Sequence, residues 1–83
     1  MERNIRHKET SSYADHPRVT WFGIGGTVAY VDYTGAMTSY FIGASEVYDG
    51  EFKIIPPNDN GHGTMHGFDS MDQAIERALE LAG

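Results

Sequence analysis

The chain has 83 residues, no cysteine, and a formal net charge of −6 with a pI near 4.9. A single domain of this size buries only about 60–65% of its unfolded surface, and it has no disulfide or thiolate metal site to staple it. The acidic balance lacks the basic footprint of a direct nucleic-acid binder and disfavours an anionic membrane surface. No apolar run approaches the roughly 20 residues needed to span a bilayer.

Residues 1–17, MERNIRHKETSSYADHP, are polar and mixed in charge. They lack the apolar stretch of a secretory signal and read as an N-terminal arm with the composition of a disordered start. A single domain is expected over residues 18–83, and the cysteine-free composition fits a reducing cytoplasm. RVTWFGI is rich in β-branched and aromatic residues and predicts a strand. Gly25 and Gly26 supply a two-residue turn, and TVAYVDY is the return strand. Thr34 and Gly35 mark a second turn, and AMTSYFIGASEVY a third extended run in which Gly43 and Ala44 signal a bulge or break. Asp49 and Gly50 form the strongest hairpin signal. EFKII follows as a fourth strand, with Phe52 and Ile54 on one face, and Pro56 and Pro57 end it.

The Gly- and Asn-rich stretch PPNDNGHGTMHG reads as a loop with room for a short strand around residues 64–67. The clearest helix comes last. Ser70 predicts its N-cap, and Gln73 completes a capping-box pattern. Met71, Ala74, Ile75, Ala78 and Leu79 form an apolar stripe that packs on the sheet. The expected architecture is α+β: an antiparallel meander of three to four strands with one C-terminal helix packed on one face.

Charge is unevenly distributed. Residues 1–18 carry net +1, and residues 19–83 carry net −7, with nine carboxylates against Lys53 and Arg77. Asp72, Glu76 and Glu80 recur every fourth residue, which stacks them on one helix face. Like charges at this spacing destabilise a helix by a few tenths of a kcal/mol per pair, so the ridge reads as a surface presented to Lys and Arg of a partner. Asp69 extends it at the helix start, and Glu46, Asp49 and Glu51 extend it if the third turn lies near the helix. Duplex DNA carries about one charge per 1.7 Å, or roughly 18 over ~30 Å. Nine carboxylates therefore allow a local acidic line and exclude a full duplex mimic.

Other motifs carry less. Gly23, Gly25 and Gly26 lack the spacing, helix and lysine of a phosphate loop. His62 and His66 are four apart with Asp59 and Asp69 nearby, but Gly61, Gly63 and Gly67 oppose a metal-binding helix, so neither metal nor cofactor is expected. There is no cysteine nucleophile and no nucleophile-elbow motif, so no enzyme is expected. Adjacent aromatics such as Trp21 and Phe22, or Tyr40 and Phe41, must point to opposite sheet faces. One helix covers one face, so Trp21, Tyr30, Tyr40 and Tyr48 are candidate interface aromatics, for a partner or a homodimer.

From Tyr48 to the C-terminus, the Asp49 and Gly50 turn, the strand ending at Pro56, and the run from Gly67 and Ser70 to Ala74 resemble the layout of HicB-type antitoxins. That resemblance implies binding to a small RNase toxin. The chain departs from it in the longer, more polar PNDNGHG loop and in lacking the DNA-binding element that usually follows. In size, acidity and β-meander layout, the whole chain resembles the small phage proteins that block host nucleases, anti-CRISPR proteins among them. Both resemblances imply a non-catalytic protein that occupies a basic surface of a nuclease or CRISPR effector complex. A third reading, a small metal-binding or enzymatic domain, would use His62 and His66.

Overall fold

The computed structural model describes residues 11–24, 27–35, 38–57 and 63–83. Five strands, β1 (Val19–Ile24), β2 (Thr27–Val31), β3 (Tyr40–Ala44), β4 (Phe52–Ile55) and β5 (Met65–Phe68), are followed by one helix, α1 (Met71–Ala82). The strands pair in sequence order as one antiparallel sheet, and α1 packs on one of its faces. The α+β meander with a terminal helix is as expected, with five strands rather than three to four. The additional strand is β5, in the stretch read mainly as loop. Its alternation is broken where Gly67 takes φ +96° and the pairing with β4 shifts by one residue between Phe52/Phe68 and Ile54/Met65. A bulge of this kind hides a four-residue strand from a period-two reading.

The face under α1 is the core. Val19, Val31, Ile42 and Ile54 from the sheet meet Met71, Ala74, Ile75 and Ala78 from the helix, all buried. β2 carries an extra residue opposite Ile42, and both Val28 and Ala29 are buried there. The irregularity expected at Gly43 and Ala44 therefore lies on the neighbouring strand, since β3 and β4 pair without a shift. The Gly25 and Gly26 turn lies outside the described residues, although β1 and β2 pair up to Ile24 and Thr27.

One turn of the sheet is secured by polar side chains. Between β2 and β3, the buried Ser39 hydroxyl lies 2.8 Å from the Gly35 carbonyl and 3.2 Å from that of Asp32, and accepts the Thr34 N–H at 3.0 Å. Asp32 sits at φ +55°, a conformation short polar residues tolerate. Its carboxylate takes both arms of the Arg18 guanidinium. That bidentate bond holds the Asp32 carboxyl below its ordinary range, and the geometry adds specificity as well as charge attraction.

Residues 11–17 of the expected arm lie against the body. Tyr13 packs on the core, the Trp21 indole N–H donates to the Tyr13 carbonyl at 3.3 Å, and the Ser12 N–H donates to Asp72 at 3.0 Å. The boundary drawn at residue 18 thus does not separate this segment from the folded domain. Residues 1–10 lie outside the described residues.

Candidate functional site

The acidic line on α1 is not uniform. Asp72 faces inward to the N-terminal segment, accepting the Ser11 hydroxyl on one oxygen and the Ser12 N–H on the other. Burial alone would raise its carboxyl, but these hydrogen bonds outweigh it and hold the group below its ordinary value. Glu80 is exposed and pairs with Arg77 at 3.0 Å one turn back, and Glu76 is exposed beside them. Glu76, Arg77 and Glu80 line an open groove of about 340 Å³ with Gln73 and with Phe68 of β5. On the other flank, Tyr13 lies among the carboxylates. Burial, then the charges of Glu76, Asp72 and Glu80, push its phenol up. Asp72 is thus a structural acceptor, and the outward part of the ridge is Glu76 and Glu80.

The sheet register decides where the third turn lies. Ala44 pairs with Phe52, and Phe52 with Phe68, so the β3–β4 connection and the start of α1 occupy the same end of the sheet. Glu46, Asp49 and Glu51 therefore stand at the end where Asp69 leads into the helix. The Ser70 hydroxyl accepts the Gln73 N–H at 3.2 Å, as the capping pattern predicts. The Gln73 side chain reaches back to the Asp69 N–H at 3.0 Å, one residue earlier than the usual reciprocal bond.

The β3–β4 connection, residues 45–51, is a built turn. The Ser45 N–H donates to the Glu51 carbonyl at 2.8 Å and the Glu51 N–H to that of Tyr48 at 3.2 Å. Gly50 takes φ +82°, the left-handed conformation that makes glycine the favoured residue there. The Ser45 oxygen accepts the N–H groups of Val47 (3.1 Å) and Tyr48 (3.0 Å), and lies 2.9 Å from Nδ1 of His66 on β5. With its oxygen accepting two N–H groups, the hydroxyl hydrogen is directed to His66, whose Nδ1 is the acceptor. Through these bonds Ser45 ties the 45–51 turn to β5. The staple lifts an apolar tip: Val47 is 63% and Tyr48 52% exposed, with the Tyr48 ring 6.0 Å from that of His66. Exposed Glu46 and Asp49 flank the tip, and Glu46 lies 3.8 Å from Lys53.

The four candidate aromatics do not share a surface. Trp21 and Tyr40 pack on the helix side, the Tyr40 hydroxyl reaching the Leu81 carbonyl at 3.4 Å. Tyr48 is on the turn. Tyr30 lies on the opposite face, ring to ring with Phe22 (4.8 Å), Tyr33 (4.9 Å) and Phe41 (5.3 Å). Phe22, Tyr33 and Phe41 thus replace Trp21 and Tyr40 as the aromatics of the open face. Strand alternation separates Trp21 from Phe22 and Tyr40 from Phe41, but only the register says which of each pair the helix covers. His62 and Asp59 lie outside the described residues, and among those described no three His, Asp or Glu side chains converge as a metal site requires. No described helix is long and apolar enough to cross a membrane.

No family model matches this chain, and no curated protein or solved structure matches it either.

Proposed function

We propose that this protein is a non-catalytic inhibitor that binds a basic surface of a nucleic-acid-handling protein or complex, in the manner of anti-CRISPR proteins. The observation that carries this reading is the stapled 45–51 turn. Its apolar tip, Val47 and Tyr48, stands exposed among Glu46 and Asp49, with Glu51 and Asp69 at the same end of the sheet. Rim ion pairs alone give little affinity, whereas an aromatic anchor entering a pocket within a charged rim is how a small interface concentrates its energy. A groove that binds nucleic acid supplies the complement, with lysines and arginines for the carboxylates and stacking or apolar slots for Tyr48. Glu76 and Glu80 add a second, more distant pair of charges on α1.

The test is inhibition of target-DNA binding by a panel of reconstituted CRISPR effector complexes. A complex should lose target binding when the wild-type protein is added. Combined Glu46→Lys, Asp49→Lys and Tyr48→Ala substitutions should restore it, with the variant's circular dichroism and melting unchanged. A folded triple variant that inhibits as well as wild type removes the 45–51 turn from the interface. Inactivity across the panel, together with tight co-purification with a small basic RNase, replaces this reading by the antitoxin one.

A further inference from the structure

We propose that the sheet face opposite α1 is a homodimer interface, and that its occupant is a second copy of this chain. Phe22, Tyr30, Tyr33 and Phe41 form a continuous ring-to-ring cluster there. The pairing of Phe41 with Ile55 extends it onto β4. Phe22, Tyr30, Phe41 and Ile55 are only half-buried, and Tyr33 is 45% exposed. Charge selects the occupant. None of the five strands contains a carboxylate, although the chain has a net charge of −6. At the margin, Asp32 is held by Arg18. The cation on this side, Lys53, has a side chain only 13% exposed and lies within 4 Å of Glu46. A basic partner would find no carboxylate on the strands of this face, and Glu46 stands only at its edge, beside Lys53. Two copies of an acidic protein, in contrast, meet there without bringing carboxylates together.

By composition, residues 1–10, MERNIRHKET, offer only Met1 and Ile5 as apolar groups. The area fits a modest dimer. Five strands about 4.8 Å apart and about 17 Å long present roughly 400 Å² per copy before side-chain relief is counted. Two such faces total about 800 Å², below the standard size of stable interfaces and in the range of weak, transient ones, so association should depend on concentration in the range that solution methods sample. A twofold axis through the face would place each Tyr30 near the centre, where buried aromatics contribute most.

Sedimentation velocity on the full chain across a hundredfold concentration range tests this directly. The mass should rise from 9.2 kDa towards twice that value. Tyr33→Lys places like charges across the twofold at a position the monomer already exposes, and should hold the chain at the monomer mass with its melting curve unchanged. Phe41→Lys should do the same; where it fails to fold, Tyr33→Lys decides. Glu76→Lys, on the opposite side, should leave the dimer intact. A wild-type chain that stays monomeric at every concentration overturns the proposal, as does a dimer indifferent to Tyr33→Lys. The 45–51 turn adjoins this face at Lys53 and Glu46, but Tyr33 lies at the other, β2–β3 end of the sheet, so inhibition by Tyr33→Lys can survive loss of the dimer.

Discussion

Asp72 illustrates how one carboxylate can be misread from spacing alone. Its place in the i,i+4 line with Glu76 and Glu80 suggests an outward charge, yet it is the acceptor that ties residues 11 and 12 to the helix. Hydrogen bonds to a charged group contribute about 1.5–3 kcal/mol when shielded and less at a half-exposed site. Asp72→Asn is expected to cost about 1–2 kcal/mol. The pH dependence follows from the lowered carboxyls of Asp72 and Asp32. Each is charged in both folded and unfolded chains above about pH 5, so its stabilisation is complete there. As pH falls below the ordinary carboxylate value of about 3.9, the unfolded chain takes up the proton first and the stabilisation is lost through the lower folded values. Urea titrations should therefore show the wild-type advantage over Asp72→Asn constant from pH 7 to about pH 5 and shrinking as the pH falls further. An advantage unchanged down to pH 2 would mean that the carboxylate charge is not what the serines recognise.

At the scale of elements, α1 and the hairpin turn at Asp49 and Gly50 were the most legible parts of the sequence, although the extended run expected through Tyr48 ends at Ala44 and residues 45–48 join the turn. Both are fixed locally: Asp49 and Gly50 by backbone conformation, α1 by Ser70, its apolar stripe and Gly83, whose N–H closes on the Leu79 carbonyl. β5 was harder to read, because its bulge and Gly67 erase the alternation that identifies a strand. The Ser45 and His66 bond could not be read at all, since it joins positions 21 apart through a strand pairing the sequence does not declare. Removing that staple by Ser45→Ala leaves two N–H groups at the turn without their acceptor. The turn should loosen while the sheet persists. Amide hydrogen exchange should rise several-fold at Val47 and Tyr48 and stay unchanged in β2 and β3. Equal protection at the turn would show that the Glu51 bonds hold it alone.

For the molecule as a whole, composition was a sound guide to what the sheet leaves open and a poor guide to which residues lie there. One helix against one sheet must leave a face uncovered, and the density of aromatics foretold that it would be apolar. Trp21 and Tyr40 share a face with the core residues Val19 and Ile42, two positions away on the same strands, and strand alternation alone does not say which of the two faces the helix covers. The division of surfaces emerges only when the chain is closed. Carboxylates gather at the turn end and along the outer helix, while the five strands hold none.

The bonds from Ser11 and Ser12 to Asp72 span 61 and 60 positions of an 83-residue chain. Neighbouring strands of a meander close short loops and assemble early, whereas a contact of this span pays its loop-closure entropy only once the intervening sheet has brought the ends together. The latch is therefore expected to form late in folding and to open early. In stopped-flow measurements Asp72→Asn should speed unfolding and leave the refolding rate near that of wild type. Slowed refolding that accounts for the full loss of stability would instead place the latch in the folding nucleus. Faster unfolding with unchanged refolding would assign the chain's resistance to unfolding to the contact between residues 11–12 and α1, and its folding rate to the hairpins between them.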